Sequence, residues 1–472
     1  MPTTLSSLDY ICKPKSIAIV GASASEGKWG HVILKGIIEG GYQGKIYPIN
    51  PKAGEILGLQ AYASVLDVEG PIDLAVIGIR ADLVLKAIED CKNKGVKAAI
   101  IITGGFAEMG SEGKRFQEEI VKAAGEMRIV GPNTMGIANL THNLNISFLR
   151  PLKGPFALIS QGGNVVDEVE YIARRKGIGF TQIIDTSNQA DVSLCEFLEY
   201  LADDSATKAI LMYIEGFKQN EGSYFLRVAK QVTKSRPIVA IKVGVTEAGA
   251  KAASSHTGSM VGTDAIYDAA FKQAGVIRVN NSYELVDVAD VLVRLPLMRG
   301  NKIGVLVGGG SHSTMACDAA SKYGLKLSAL PDKTQELLRG ILAPNSPVSN
   351  PVDFAGAITA DVRVISKAAG VMLQDENVDG LLIAGMEFGG YSRWFGVADL
   401  EKEAAYQLVR MPEKYGKPVL LHNGALSDEE TPALQIINKG GVPVFSDVDR
   451  AAKCIASLAH YGMYLEQRKG ES

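Results

Sequence analysis

Residues 16–30 read SIAIVGASASEGKWG, a short apolar run that ends in a glycine-rich turn. The run at 16–20 has the length of a strand, and Gly21 directly after it lets the backbone turn tightly. The amphipathic stretch at 31–39 has the length of a helix. This order predicts a βα unit whose helix directs its N-terminal N–H groups at a phosphate. The turn lacks a complete G-x-G-x-x-G pattern, so a purely structural turn is the alternative.

Strand-length apolar runs alternate with helical patterns along the whole chain. The other runs of the first set are 45–49, 74–79, 98–102 and 127–130. A second set begins at 155–159 and a third at 302–307. Such alternation predicts βαβ units and parallel sheets. We therefore predict an α/β fold, with an N-terminal Rossmann-like domain at 1–147 and two flavodoxin-like α/β domains at 148–298 and 299–472.

The second and third sets resemble each other. ALISQGGN at 157–164 aligns with GVLVGGGS at 304–311, an offset of 147 residues. RKGI at 175–178 aligns with KYGL at 322–325 at the same offset. Two unrelated flavodoxin-like domains could share such patterns, but an ordered series of matches favours an internal repeat.

Composition excludes several classes of function. The formal net charge of −3 gives no electrostatic basis for binding nucleic acid or acidic membranes. The five cysteines are scattered without C-x-x-C spacing, so we expect no metal site, no disulfide framework and a cytoplasmic location. The sequence has no signal-peptide pattern and no apolar run of about 18 residues, so we expect no membrane span.

The end of the second predicted strand bears on the class of nucleotide. NAD sites usually place an acidic residue there to bind the ribose 2′-hydroxyl. This chain has Asn50, Pro51 and Lys52 instead. A lysine at this point favours a nucleotide with an additional phosphate, such as CoA or NADP.

Two further loops follow predicted strands of the first set. Thr103, Gly104 and Gly105 follow the fourth strand, and Asn133 follows the fifth. Open α/β sheets bind ligands at the carboxyl ends of their strands, so both loops are candidates for a nucleotide site. Ordinary turn chemistry is the alternative, because Gly-Gly and Pro-Asn are common in turns.

Several motifs in a fixed order resemble those of the NDP-forming acyl-CoA synthetases, which include succinyl-CoA synthetase and ADP-forming acetyl-CoA synthetase. The motifs are VGASASEGKWG at 20–30, KIYPINPK at 45–52, IITGGF at 101–106, GPNTMGI at 131–137, ISQGGNV at 159–165, MYIEGF at 212–217 and SSHTGS at 254–259. The resemblance covers about residues 1–290. It extends more loosely to SNPVD at 349–353.

The resemblance implies a reversible reaction in which acyl-CoA, phosphate and ADP give acid, CoA and ATP. An acyl phosphate forms first, and its phosphoryl group moves to a histidine and then to a nucleotide on an ATP-grasp module. The chain has no G-x-x-x-x-G-K-[ST] sequence and no ATP-grasp signature. We therefore expect ATP or ADP and Mg²⁺ to bind a separate beta subunit in an α2β2 assembly.

The resemblance also implies roles for particular residues. Among six histidines, His256 lies in a loop of small residues and would carry the phosphoryl group. Glu215 would hold one nitrogen of its ring. Phosphate would bind at the turn that opens the next helix, at Ser160, Gln161, Gly162 and Gly163. CoA would bind Gly21, Ser23, Ser25, Lys28, Gly30, Asn50, Pro51, Lys52, Thr103, Gly104, Gly105 and Asn133.

Other functions stay open from sequence alone. They are a non-catalytic CoA-binding regulatory protein, an acyl or carbamoyl transferase without phosphohistidine, and an NADP-dependent oxidoreductase. The sequence departs from the family pattern at Ile79-Arg80, at Thr134 and in the GGGSHS loop at 308–313. The acid, the choice of ADP or GDP and the physiological direction cannot be predicted. For His312 we expect a structural or surface role.

Overall fold

The computed structural model describes residues 4–249, 251, 264–426 and 430–470. The chain divides into two compact units, Met1–Ala289 and Asp290–Ser472. Residues 252–263, which include the predicted phosphohistidine His256, lie outside the described residues. No helix within the described ranges is both long enough and apolar enough to cross a membrane.

The first layer of the N-terminal unit is a parallel α/β sheet. Its strands and a small hairpin are β1 Ser16–Val20, β2 Lys45–Ile49, β3 Glu55–Ile56, β4 Leu59–Gln60, β5 Leu74–Ile77, β6 Ala98–Ile101 and β7 Arg128–Val130. Its helices are α1 Thr4–Cys12, α2 Trp29–Glu39, α3 Ala81–Lys94 and α4 Ser111–Ala124. The sheet has the order β2-β1-β5-β6-β7. Every residue of β5 and β6 is buried, as expected for parallel strands covered by helices on both faces.

The second layer of this unit is a larger mixed sheet. Its strands are β8 Ile137–Asn139, β9 Leu144–Ile146, β10 Lys153–Ser160, β11 Phe180–Asp185, β12 Ala209–Ile214, β13 Ile238–Lys242 and β14 Ile277–Val279. Its helices are α5 Gly163–Arg175, α6 Leu194–Leu201, α7 Glu221–Val232, α8 Asp264–Ala274 and α9 Ser282–Arg294. The order is β14-β13-β12-β10-β11-β8-β9, with β8 antiparallel to β11 and to β9.

The two layers of this unit are packed against each other. One cluster of buried apolar side chains includes Ile17 and Ile100 of the first sheet and Ile159 and Ile210 of the second. Arg128 at the start of β7 also links the two layers by ion pairs, because its guanidinium donates to Asp191 and Glu196 at 2.9 Å each. The carboxyl ends of β1 and β10 are thereby held in a fixed relation.

The second unit contains one parallel sheet. Its strands are β15 Lys302–Val307, β16 Lys326–Leu327, β17 Val352–Asp353, β18 Gly380–Ala384, β19 Val419–His422 and β20 Val444–Phe445. Its helices are α10 Gly310–Lys322, α11 Asp332–Arg339, α12 Val364–Gln374, α13 Gly390–Phe395, α14 Ala398–Val409, α15 Met411–Tyr415, α16 Pro432–Lys439 and α17 Val448–Lys469. The order is β16-β15-β18-β19-β20, and β17 also pairs with β15.

The sheet orders match what the internal repeat predicts. In the N-terminal unit the parallel strands run β14-β13-β12-β10-β11, and in the second unit the corresponding series is β20-β19-β18-β15-β16. The predicted α/β class with parallel sheets is confirmed. The antiparallel pair β8 and β9 was not predicted, because each strand has only three residues and leaves no recognisable periodic pattern. The predicted domain borders stay a prediction.

Candidate functional site

A cavity of about 890 Å³ lies in the N-terminal unit, where strands of both sheets end. It includes the loops after β1 and β5, between which the strand order of the first sheet reverses. Open α/β sheets bind ligands at this point of reversal. The lining residues are Gly21, Gly27, Lys28, Trp29, Gly30, Gly78, Ile79, Arg80, Ile102, Thr103, Gly104, Asn133, Thr134, Met135, Gln161, Gly162, Gly163, Asn164, Ser187 and Asn188.

The first glycine turn requires its glycines. Gly21 has a φ of +93°, and a Cβ there would lie 2.5 Å from the carbonyl oxygen of Gly78. A Cβ on Gly30, in the first turn of α2, would lie 2.0 Å from the Gly21 carbonyl oxygen. The two glycines therefore let the N-terminus of α2 approach the end of β1. The free N–H groups of α2 and the cation of Lys28, its N-cap residue, then lie beside the cavity.

The loop after β2 does not reach the wall of the cavity. Asn50 donates from Nδ2 to the Ala22 carbonyl at 2.8 Å and accepts from the Lys52 backbone N–H at 2.9 Å. It therefore fixes the shape of the first glycine turn. The predicted phosphate ligand Ser160 lies outside the lining, as do six predicted CoA ligands, which are Ser23, Ser25, Asn50, Pro51, Lys52 and Gly105. A role for these six residues in binding CoA stays a prediction.

The loop after β6 is held by a carboxylate that sequence analysis missed. One carboxylate oxygen of Glu108 accepts from the backbone N–H of Gly105 at 2.6 Å, and the other accepts from Nδ2 of Asn188 at 2.6 Å. Burial opposes ionisation, but the hydrogen bonds from Asn188 and Gly105 bring the pKa of Glu108 below its usual value. Thr103 also donates to the Ile79 carbonyl at 2.7 Å. Glu108 thus links the loop of the first sheet to a loop of the second.

The second glycine turn forms the other end of the cavity. Ser160 is the last residue of β10, and Gly162 is the N-cap of α5. Ser160 Oγ donates to the Gly162 carbonyl at 2.8 Å and accepts from the Gly162 N–H at 3.1 Å. The turn is therefore fixed by its own side chain. The N–H groups at the start of α5, a 13-residue helix, lie at this end of the cavity, and their role as an anion site stays a prediction.

Gln161 holds the neighbouring loop in place. Its side-chain oxygen accepts from the backbone N–H groups of Glu215 and, at 3.1 Å, Gly216. Its side-chain nitrogen donates to the Gly216 carbonyl at 2.8 Å. The amide thus pairs with both polar groups of a buried backbone segment. This use of the Gln161 side chain could not be predicted, because the partners lie 54 and 55 residues away.

Glu215 follows β12 and is buried beside the start of α5. Only 8% of the residue is exposed, and a Cβ on Gly162 would lie 3.5 Å from its Oε1. Lys242, 4% exposed, donates to the Glu215 carbonyl at 2.9 Å, and its ammonium lies 4.4 Å from the centre of the Tyr267 ring. Burial and then Arg278 lower the pKa of Lys242. Glu215 is therefore near the predicted anion site, although it does not line the cavity.

A buried carboxylate, Asp185, was also missed from sequence. At the end of β11 it accepts from the Met135 N–H at 2.7 Å, the Ser187 hydroxyl at 2.9 Å and the Thr134 hydroxyl at 3.2 Å. Burial raises the pKa of Asp185 to about 6, although the hydrogen bonds from Met135 and Ser187 act in the opposite direction. All three donors line the cavity. Asp185 therefore positions one wall without contacting the cavity itself.

Charge is unevenly distributed around the cavity. Among the described lining residues, the charged side chains are Lys28 and Arg80, both from the first layer. Arg80 donates to both carboxylate oxygens of Asp82 at 3.0 and 2.8 Å, and its side chain is 80% exposed. The end formed by the second layer is lined by neutral side chains. The end of the cavity formed by the first layer therefore suits phosphate groups. The end formed by the second layer suits an uncharged group, with room for one anion at the N-terminus of α5.

The glycine turn of the second unit has different neighbours. His312, on the first turn of α10, lies with its ring centre 5.4 Å from that of His422. Nδ1 of His422 accepts from the Gly385 N–H at 3.0 Å. Burial and then the neighbouring His312 lower the pKa of His422. A structural or surface role for His312 stays a prediction.

Two family models match the chain. A CoA binding domain matches residues 15–139, and a succinyl-CoA ligase like flavodoxin domain matches residues 153–292. Together they cover the two layers that form the cavity. The N-terminal unit is thus a CoA-binding domain followed by a flavodoxin-like domain of the succinyl-CoA ligase type.

Relatives over the full chain identify the family. The chain is 38% identical over 465 residues to subunit alpha of acetate–CoA ligase [ADP-forming] II of Pyrococcus furiosus, covering 96% of this chain and 98% of that one. A solved dinucleotide forming acetyl-coenzyme A synthetase 1 of Candidatus Korarchaeum cryptofilum, in complex with phosphate and ADP, has a TM-score of 0.86 and 32% identity over 98% of both chains. The chain belongs to the ADP-forming acyl-CoA ligase family, as the sequence predicted.

A longer relative shows another arrangement. Acetate–CoA ligase [ADP-forming] of Methanocaldococcus jannaschii is 46% identical over 357 residues, which cover 75% of this chain and 50% of that protein. The matched region thus spans half the length of that relative.

Proposed function

We propose that the chain is the CoA-binding and phosphate-carrying alpha subunit of an ADP-forming acyl-CoA ligase. With a partner subunit it converts acyl-CoA, phosphate and ADP into acid, CoA and ATP, and the reaction is reversible. The observation that carries the proposal is the single cavity that connects the glycine turn at the start of α2 with the N-terminus of α5. That connection brings a thioester and a phosphate within reach of each other.

CoA would bind along the first layer. Lys28 and the N-terminal N–H groups of α2 would supply positive potential for its phosphates. Ile79 and Ile102 supply apolar surface for the chain that ends in the thiol. The thioester would then extend toward the neutral end of the cavity, where α5 begins.

The first chemical step would take place at the start of α5. A phosphate oxygen attacks the thioester carbonyl carbon, a C–O bond forms, the C–S bond breaks and CoA leaves as its thiolate. The N–H groups of α5 would hold the phosphate in position for this attack. The products of the step are free CoA and an acyl phosphate.

The second step would transfer the phosphoryl group to His256. An imidazole nitrogen attacks phosphorus, and the bond from phosphorus to the carboxylate oxygen breaks, which releases the acid. Glu215 would accept a hydrogen bond from the other ring nitrogen and so set the tautomer. The SSHTGS motif supports the role of His256, and the place of Glu215 beside Gly162 supports its role.

The nucleotide and Mg²⁺ would bind an ATP-grasp beta subunit, in a cytoplasmic α2β2 assembly. Two facts support this division. The Pyrococcus relative of the same length is named as a subunit alpha, and the Methanocaldococcus relative is about twice as long as the matched region.

Labelling with phosphate tests the proposal without the partner subunit. The chain is incubated with acetyl-CoA and ³²P-labelled inorganic phosphate, and acid-labile, base-stable label on the protein is measured. Label that requires both reactants, together with release of free CoA thiol, is the expected result. CoA binding measured by calorimetry without any label or thiol release would instead favour the non-catalytic CoA-binding protein.

A further inference from the structure

Met135 lines the neutral end of the cavity, where α5 begins. It follows β7 in the GPNTMGI segment and is half-buried. A Cβ on Gly163, the first residue of α5, would lie 2.4 Å from Cγ and 3.3 Å from the sulphur of Met135. The methionine side chain therefore packs directly on the helix N-terminus that forms the anion site.

Hydrogen bonds hold the backbone at Met135 and at the next residue. Its N–H donates to the buried carboxylate of Asp185 at 2.7 Å, and the next residue, Gly136, donates to Thr134 Oγ1 at 3.0 Å. A Cβ on Gly136 would lie 1.7 Å from the Ile146 carbonyl oxygen. The backbone on either side of Met135 is therefore hydrogen-bonded and closely packed.

The surroundings of Met135 indicate what it contacts. Asn164, Ser187 and Asn188 line the same end of the cavity and carry no charge. An anion bound at the start of α5 would have the Met135 side chain next to it. In an acyl phosphate, the group next to the phosphate is the acyl chain. An apolar, polarisable side chain there suits an apolar acyl chain and limits its length.

We propose that Met135 is the residue that sets the acyl-chain length accepted by this enzyme, in favour of short, uncharged acyl groups. The inference rests on the proposed function, because it requires the acyl phosphate to form at the start of α5. Met135 acts by occupying space, so shortening it should admit longer chains without altering the chemistry of the phosphate.

The test compares acyl-CoA esters of increasing length in the phosphate-labelling assay. Acetyl-, propionyl-, butyryl- and hexanoyl-CoA are each supplied with ³²P-labelled phosphate to the wild type, Met135→Ala and Met135→Phe. We expect Met135→Ala to raise the hexanoyl-to-acetyl ratio of labelling rates by about tenfold or more. Met135→Phe should lower the propionyl-to-acetyl ratio. Met109→Ala is the matched control, because Met109 is 73% exposed and does not line the cavity.

Each outcome has one meaning. Opposite changes of the ratios in the Ala and Phe variants, with the Met109 control unchanged, support the proposal. A labelled wild type whose ratios stay the same in both Met135 variants overturns the role of Met135 and leaves the proposed function intact. A wild type that no acyl-CoA labels overturns the proposed function, and the role of Met135 with it. Circular dichroism confirms that the variants compared are folded.

Discussion

Two glycine turns end equivalent strands in the two units, and they differ in what surrounds them. In the N-terminal unit β10 leads through Gly162 into α5, and in the second unit β15 leads through Gly309 into α10. Gln161 of the first turn is matched by Gly308 in the second. A Cβ on Gly308 would lie 2.2 Å from the Gly385 carbonyl oxygen, so no side chain fits there.

The neighbouring strands extend the contrast. Ser160 pairs with Tyr213, and Val307 pairs with Ala384, so Glu215 takes the position that Met386 takes in the second unit. Glu215 is an acid, whereas Met386 is a fully buried apolar residue. The same strand–turn–helix thus occurs twice, and the two copies differ at the positions of Gln161 and Glu215, where the second copy has Gly308 and Met386. Under the proposed function, this difference at two positions predicts that only the first turn supports phosphoryl transfer to a histidine.

The largest expected effect comes from comparing histidines of the two units. We expect His256→Ala to reduce ³²P labelling by a factor on the order of 1,000 or more, because the nucleophile is lost. His312→Ala should stay within about threefold of the wild type. CoA affinity, measured by calorimetry, should be unchanged in both variants. Loss of label in His312→Ala to the extent seen in His256→Ala would show that the second turn shares the chemistry.

Glu215→Gln should have the next largest effect. The amide is close to the carboxylate in size but is a weaker acceptor, so we expect the labelling rate to fall about 10- to 100-fold. The initial rate of label incorporation measures this. Glu126→Gln, at an exposed position, is the matched control. A labelling rate equal to that of the wild type would remove Glu215 from the mechanism.

Gln161→Gly would place in the first turn the residue that the second turn has at the equivalent position, Gly308. The backbone N–H groups of Glu215 and Gly216 would lose their buried acceptor, which should cost about 1–3 kcal/mol of stability. Urea denaturation followed by circular dichroism measures the loss, with Gln231→Ala on the exposed face of α7 as control. Stability equal to that of the control would mean that the hydrogen bonds of Gln161 are dispensable.

The smallest predicted effect is an opposite dependence on pH in the two units. Burial raises the pKa of Asp185 to about 6, so its contribution to stability is present at low pH and decreases by about 1 kcal/mol between pH 5 and 7. The pKa of His422 is lowered, so the effect of pH is opposite. The contribution of His422 to stability is lost as the pH falls below the pKa of an ordinary histidine. Amide hydrogen exchange read by mass spectrometry reports each unit separately.

Variants identify the groups responsible for the dependence on pH. Asp185→Asn should weaken the pH dependence of the stability that hydrogen exchange reports for β11. His422→Gln should do the same for β19. Profiles that keep their slopes in these variants would contradict both assignments.

Local features of the fold could be predicted from sequence. The run at 16–20 followed by Gly21 predicts a strand and a turn, because both depend on neighbouring residues only. The ordered motifs predict the family, and the offset between 157–164 and 304–311 predicts two related α/β domains. The hairpin of β8 and β9 could not be predicted, since it depends on pairing with β11 rather than on its own pattern.

The site was predictable to a lesser extent. The glycines of both turns and Thr103 line the cavity as expected, because their positions follow from the ends of parallel strands. Glu108 and Asp185 were missed because their partners include residues 80 and 50 positions away, and no local pattern records such contacts. Lys52 is the opposite case. Its position at the end of a strand predicted a contact with the nucleotide, but Lys52 does not line the cavity.

We propose that His256 carries the phosphoryl group in both directions of the reaction. The most direct test locates the label by mass spectrometry of the intact phosphoramidate. The chain is labelled once with acetyl-CoA and phosphate, and once with γ-labelled ATP, Mg²⁺ and the partner subunit. We expect the same phosphorylated segment, 252–259, from both reactions. Label on another residue, or on different residues in the two reactions, would contradict it.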